Sequence, residues 1–338
     1  MTCSACSIGE LNFEMKVAGS RNLAMIPAIA LHLKRNGRRF EAMDDGRMTL
    51  EEAGARDFYD YCSDHMDADD VYYRSQGSGS ESEWLPVTAL PSVLEAEWID
   101  ELIRREAVVC YYQPIVTGDG ARYAYELLAR FPKEDGGMRY PNEVFAAAKL
   151  RGRLYALDRL CRLTAVKYAA KLNTLAFINF IPTSIYSPEH CLQSTVALAE
   201  RLGADPSRFV FEVVESERVA DIDHLKRILA YYKARGFRYA LDDVGEGYST
   251  IELLDDLRPH YMKLDMKYVQ GVASDAEKQD TARSFLAYAL RIGSIPLAEG
   301  VETEADYEWL KREGYVLFQG YLFGKPSPTA NEAPNIVY

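Results

Sequence analysis

Cysteine is scarce, basic side chains are outnumbered and no long apolar run is present. Six cysteines in 338 residues are too few for a disulfide scaffold, so the expected location is the reducing cytoplasm. The longest apolar stretch, 23–33 (LAMIPAIALHL), falls short of the about 20 residues that a membrane helix needs. The N-terminus, MTCSACSIGELNFEMK, has no basic region ahead of an apolar run, so no secretory leader is expected. Lys and Arg number 39 against 51 Asp and Glu, a formal charge of −12. Such a chain has no bulk attraction for DNA, RNA or anionic lipid, and neither a nucleic-acid polymer nor a membrane is an expected partner. A phosphate-bearing ligand would need a local device to overcome this field, metal ions above all. Hydrophobic residues are present in ordinary amount, 48%, which excludes disorder over most of the chain. The length fits about two domains, or one large barrel with a smaller piece.

The segment 75–83 (SQGSGSESE) reads as a linker. The expected division is therefore an N-terminal region, 1–95, of unknown fold, and a larger domain, 96–338. In the second part β-rich runs fall at 108–116, 121–131, 175–180, 209–214, 238–244, 261–265, 295–301 and 315–323, with amphipathic helical stretches between most of them. That alternation predicts parallel strands joined by crossover helices. Eight strands in about 240 residues match the size of a (β/α)8 TIM-like barrel. The alternative is an open doubly wound sheet, but no G-x-G-x-x-G follows the first strand to support its dinucleotide-binding form.

In such a barrel the chemistry gathers at the C-terminal strand ends. Glu126 lies in YELLAR, Asn179 in AFINF, Glu212 and Glu215 in FVFEVVES, and Asp242 and Asp243 end YALDD. Lys263 lies in YMKLD, Glu299 and Glu302 in PLAEGVE, and Gln319 in LFQGY. Singly, each reads as a solvated loop residue or a helix cap. Together they read differently, because Glu126, Glu212, Asp242, Asp265 and Glu299 put a carboxylate on each of five strands. An unpaired buried carboxylate costs several kcal/mol, so convergence would demand protons or hard divalent cations. The pair Asp242–Asp243 sharpens this. Neighbours within a strand face opposite ways, but at a strand end, where the chain turns, both can reach one site. One carboxylate could then bridge two metals while the other binds the second, a device for phosphodiester hydrolysis. The plainer reading is an Asp capping the next helix. Gly245 and Gly247 follow the pair and allow a tight loop.

The motifs YYQPIV (111–116), YELLAR (125–130), INFIPT (178–183), FEVVES (211–216), LDDVGEGYST (241–250), KLD (263–265), AEGVE (298–302) and FQGYLFGKP (318–326) together resemble those of the EAL-domain phosphodiesterases, bacterial enzymes that hydrolyse cyclic di-GMP. They follow the family's order across nearly all of 98–328. The resemblance implies hydrolysis of one 3′–5′ phosphodiester bond to linear pGpG, with two Mg²⁺ or Mn²⁺ ions per site. It implies Glu126, Asn179, Glu212 and Asp242 as ligands of the first metal, and Asp243 as a ligand of the second with Asp242 bridging. Glu299 would be a further acidic residue of the metal centre. Lys263 would contact the attacking water, Glu215 would hold the DDVGEGYS loop, Arg130 would contact substrate phosphate, and Gln319 would close the end of the site. Gln113, Leu128 and Glu302 would complete the substrate-binding set. A salt bridge from Lys263 to Asp265 or to a site carboxylate is the plainer reading of that lysine. A homodimer is expected by the same resemblance.

This sequence departs from the family pattern in three places. Leu127 stands where Ala is usual, and strand alternation turns it away from Glu126 toward the helix layer. Val214 and Glu246 each stand where Thr is usual, Glu246 adding negative charge beside the loop glycines. Every aligned ligand position is intact, which favours an enzyme over a receptor that binds cyclic di-GMP without cutting it. The N-terminal region carries Cys3-x-x-Cys6 and Cys62-x-x-His65, a Cys₃His set for structural zinc. The pairs are 55 residues apart, longer than zinc modules use, so a helix carrying Cys62 and His65 with no metal is the favoured reading. Phe58, Tyr59, Tyr61, Tyr72 and Tyr73 are expected in a core. Position and linker alone suggest that this region regulates or dimerises the barrel.

Overall fold

The computed structural model describes residues 8–43, 45–76, 83–213, 221–244 and 251–330, the side chains of 251–253 aside. Cys3, Cys6, Val214, Glu215, Gly245, Glu246 and Gly247 lie outside the described residues, as does most of the expected linker. The chain packs as two compact units, Met1–Ala107 with Arg139–Leu157, and Val108–Met138 with Asp158–Tyr338.

In the first unit, β1 (Asn12–Val17) sends Phe13, Met15 and Val17 to one face, where they are buried. The chain continues through α1 (Ile26–Arg35), β2 (Phe40–Ala42), β3 (Arg47–Glu51), α2 (Glu52–His65), β4 (Val71–Gln76) and the short β5 (Leu85–Pro86). The sheet order is β2-β3-β1-β4-β5, with β1 antiparallel to both β3 and β4. This βαββαβ pattern is the ferredoxin-like arrangement with one added edge strand, so the region whose fold the sequence leaves open is a small α+β unit. Ile29 and Leu33 of α1 and Phe58 and Cys62 of α2 join the sheet's apolar face in one core. Tyr73 is buried in that core, and Tyr59 and Tyr61 pack against it. Burial pushes the Cys62 thiol up to about 11, whereas His65 is exposed with its ring against Tyr61. Cys62 and His65 thus face different surroundings.

The sequence boundary at 95/96 and the packing differ. Residues 96–107 and 139–157 group with the N-terminal sheet, and a buried ion network is the reason. Asp100 accepts from Arg151 at 2.8 Å and from Arg153 at 2.7 Å, and Arg151 also grips Glu52 of α2 at 2.7 Å. Arg151 and Asp100 are both nearly inaccessible to solvent, so each needs the other.

In the second unit eight strands close into a barrel. They are β6 (Val109–Thr117), β7 (Arg122–Pro132), β8 (Leu175–Phe180), β9 (Phe209–Val213), β10 (Arg238–Val244), β11 (Tyr261–Leu264), β12 (Ile295–Ala298) and β13 (Leu317–Gln319). Neighbours follow in that order, and the ring closes by pairing of β6 with both β7 and β13. Seven strands are parallel as expected, but β6 is antiparallel to both neighbours. The physical reason is the short link from Thr117 to Arg122, closed by the Gly120 N–H to Thr117 carbonyl hydrogen bond. A few residues make a hairpin, whereas a parallel crossover needs a dozen or more.

Each strand contributes one residue to a buried apolar floor inside the barrel: Ile115, Ala124, Phe177, Val210, Ala240, Tyr261, Leu297 and Leu317. The residues between these inward positions face the helices. Leu127, Ile178, Phe211 and Leu241 lie in that outer core, so Leu127 points away from Glu126 as the alternation requires. Among the described residues, no helix is long and apolar enough to cross a membrane.

Candidate active site

Side chains repeat along a strand with period two, so the next inward position lies two residues beyond the floor. On the seven parallel strands those positions are Glu126, Asn179, Glu212, Asp242, Lys263, Glu299 and Gln319. On antiparallel β6 the same level is reached two residues earlier, at Gln113, which pairs with Glu126 in register. One level of the barrel thus collects eight polar side chains above an apolar floor.

Two sets of contacts run through this ring, one about Glu126 and one about Lys263. Glu126 accepts from Asn179 Nδ2 at 2.8 Å and from Gln319 Nε2 at 2.6 Å. Burial acts to raise the Glu126 pKa, but the Lys263 charge and these two amides outweigh it and hold it below its ordinary value. Lys263, 1% exposed, puts its Nζ 2.5 Å from Glu212 and 2.9 Å from Asp242, and also touches Glu299. Burial opposes the ammonium, but Asp242, Glu126, Glu212 and Glu299 overcome this and raise its pKa well above the usual lysine range. Burial and the neighbouring carboxylates push Glu212 and Glu299 well up in spite of Lys263. The salt-bridge reading of Lys263 is therefore realised toward three site carboxylates. Asp265 is instead the cap of the turn Met266–Val269, accepting from the Lys267 N–H at 2.6 Å, and its carboxyl also meets that of Asp243.

Asp243 lies within the strand rather than at a turn beyond it, and its carboxyl meets that of Asp265. The pairing of β10 with β11 shifts register between Leu241 and Val244, and Asp243 has a left-handed backbone, φ 50°. This bulge within the strand, rather than its end, re-aims one of two consecutive carboxylates. Burial, then Asp242, then Asp265 raise the Asp243 carboxyl to about 7.

One oxygen from each of Glu212, Asp242 and Glu299 lies within 4.8 Å of the others. Buried oxygens of Glu212 and Glu299 accept no well-aligned hydrogen bond. One ammonium among this many carboxylates leaves excess negative charge in a dry site. Such an all-oxygen donor set fits a hard divalent cation. Leu128 and Arg130 lie half-buried further along β7, while Glu302 is exposed and is joined to the ring by no contact among the described residues.

The EAL domain model matches residues 96–326. The chain belongs to the EAL domain family. An EAL relative from Escherichia coli K12, named as the probable cyclic di-GMP phosphodiesterase PdeG, is 30% identical over 244 residues, covering 67% of this chain and 47% of PdeG. The Pseudomonas aeruginosa protein named as the bifunctional diguanylate cyclase/cyclic di-GMP phosphodiesterase MucR is 27% identical over 243 residues, covering 68% of this chain and 34% of MucR. The chain thus spans half or less of the length of these two relatives. A crystal structure of a standalone EAL protein from Vibrio cholerae O395, in its c-di-GMP-bound form, superposes with a TM-score of 0.61 at 34% identity, covering 68% of this chain and 98% of that one. The EAL match begins at 96, so residues 96–107 and 139–157 belong to the EAL sequence although they pack with the N-terminal sheet.

Gly320 follows Gln319 and lies against the Val301 backbone so closely that a Cβ would overlap Val301 carbonyl and amide atoms. Those atoms are engaged, the Val301 N–H donating to the Gln319 carbonyl at 2.9 Å, and cannot yield as a side chain would. Gly320→Ala is expected to cost on the order of 3 kcal/mol, lowering the thermal midpoint by about 6–12 °C. A midpoint within about 2 °C of the parent's would show that the two segments can separate at little cost.

Proposed function

We propose that this chain hydrolyses cyclic di-GMP to linear pGpG at the barrel mouth. The observation that carries the reading is the convergence of Glu212, Asp242 and Glu299 on Lys263, at one barrel level with Glu126 and the amides of Asn179 and Gln319 that hold it. An acidic site makes no sense for a dianionic dinucleotide unless cations invert its charge. Glu126, Asn179, Glu212 and Asp242 would hold one Mg²⁺ or Mn²⁺, with Asp242 and Asp243 serving a second and Glu299 completing the acidic shell. Such ions, when bound, neutralise the phosphate and make a coordinated water acidic.

The chain's own residues do the rest. Lys263 is an ammonium in this surrounding, suited to orient a water or a phosphate oxygen by donated hydrogen bonds rather than to take a proton. The amides of Asn179 and Gln319 fix the Glu126 carboxylate in one orientation. Arg130 would hold a substrate phosphate as a charged fork, with Leu128 and Gln113 lining the approach. Glu215 and Glu302 enter the reading through motif resemblance alone.

The test is incubation of the purified chain with cyclic di-GMP and Mg²⁺ or Mn²⁺, followed by product separation. Linear pGpG from the parent is expected, with a loss of at least about 10³-fold in Glu126→Ala and in excess chelator. Binding without product would favour a receptor instead. Neither binding nor product, from the full chain and from a chain truncated before residue 96, would sink the reading.

A further inference from the structure

Beyond the polar ring, the barrel's inward positions continue along β6 and β7. Two residues further out, Tyr111 pairs in register with Leu128, and two beyond that Val109 pairs with Arg130. Tyr111 and Arg130 therefore lie on the same inner wall, on the mouth side of Gln113 and Glu126, and both are half-buried. The Arg130 guanidinium sits over the Tyr111 ring, 5.4 Å from its centre, and donates to the Ala129 carbonyl at 2.8 Å.

An arginine near a mouth has many rotamers, and a phosphate-binding fork works only in a few of them. A ring face attracts the guanidinium within about 6 Å of its centre, more strongly away from bulk water. Ring and carbonyl together choose one rotamer while leaving N–H groups of the fork for a ligand. From this geometry we infer that Tyr111 is a positioning residue: its ring holds Arg130 ready for the substrate phosphate, without any role for its hydroxyl. The inference builds on the assignment of Arg130 to phosphate in the proposed function. It gives the first tyrosine of YYQPIV a role separate from that of the second, since Tyr112 faces the helix layer and packs on Tyr125 and Tyr168.

The experiment is a set of cyclic di-GMP titrations and steady-state assays on the parent, Tyr111→Leu, Tyr111→Phe, Arg130→Ala and the double variant Tyr111→Leu/Arg130→Ala. Thermal midpoints are recorded alongside. Tyr111→Leu should raise both Kd and KM by about threefold to tenfold while kcat stays within about twofold, as expected for loss of preorganisation before the chemical step. Tyr111→Phe keeps the ring and should match the parent. In the Arg130→Ala background, Tyr111→Leu should add nothing, because the two residues act through one contact. Additive losses in the double variant, or a failure of Phe to rescue, would overturn the inference. So would unchanged binding in Tyr111→Leu. If Tyr111→Leu does not fold, the Phe variant and Tyr111→Trp decide, since each retains a ring and should bind within about twofold of the parent. A parent that neither binds nor cuts cyclic di-GMP overturns the proposed function and this inference together. A parent that binds while Arg130→Ala and Tyr111→Leu bind equally well overturns only the role of these two residues.

Discussion

Replacing Lys263 with Met is expected to lower the thermal midpoint of the metal-free protein by about 10 °C at pH 8 and to cut turnover by about 10²–10³-fold. Met nearly matches the lysine stem in volume, so the cavity cost is small. What disappears is the Lys263 ammonium, which touches Glu212, Asp242 and Glu299. Removing one partner of a buried charge group costs about 3–5 kcal/mol, because the remaining charge stays buried and uncompensated. The pH dependence follows from the directions of the shifts. Lys263 is raised well above its ordinary value, so its stabilisation persists from acid to mildly alkaline pH and is lost only above the lysine range. Glu212 and Glu299 are raised carboxyls, so without the ammonium they can relieve their charge by taking up protons as pH falls. The loss should therefore shrink as pH falls from 8 toward 5. Midpoints measured across this range in excess chelator provide the check. Parallel curves for parent and variant would show that Lys263 is not the counter-ion of the acidic group.

Asp243→Asn should do the opposite to stability and a similar thing to activity. Asn is among the few side chains that tolerate a left-handed backbone, so the bulge survives the change. It also behaves as a carboxyl that never loses its proton. In the parent, Asp243 titrates at about 7 in the folded chain against an ordinary value of 3.8. A group raised on folding contributes its stability fully below the unfolded pKa and loses it as pH climbs through the folded one. For Asp243 this window runs from about pH 4 to about pH 7. Metal-free Asp243→Asn should therefore match the parent near pH 4 and exceed its midpoint by several degrees at pH 8. Turnover should fall by about 10²-fold or more if Asp243 serves the second cation as proposed. Mn²⁺ should raise the parent's midpoint and the variant's by less. Identical pH profiles for the two proteins would exclude Asp243 as the strained acid of the site. The combination, more stable and less active, is the usual mark of a residue kept for chemistry at the expense of the fold.

Much of the barrel can be read from the order of residues alone. Alternating β and α segments specify a barrel-sized α/β domain, because period two and period 3.6 are local properties of the chain. The carboxylates at strand ends mark the site for the same reason: a charged residue inside an apolar run is visible without coordinates. The turn of Leu127 away from Glu126 is likewise legible, since alternation alone decides it. The short link between β6 and β7 carries the sign of an antiparallel first strand in its length rather than in any motif.

Other features depend on residues distant in sequence and are settled by packing. The βαββαβ unit has short strands and no chemical motif, and its order follows from which strands share the core of Phe13, Phe58 and Tyr73. The grouping of 96–107 and 139–157 with that unit follows from Asp100 meeting Arg151 and Arg153, 51 and 53 residues away, while Arg151 meets Glu52 of α2, 99 residues away. The left-handed bulge at Asp243 is a consequence of β10 shifting against β11, which no count of residues along β10 reveals. Residue order thus suffices for the barrel and the acidic residues of its mouth, because these follow from local period and residue type, and its motifs carry the resemblance to the family. How those charges meet, which carboxylates Lys263 touches and which tyrosine ring lies under Arg130 emerge only on folding, because a charge's energy is set by neighbours that the fold brings from elsewhere in the chain.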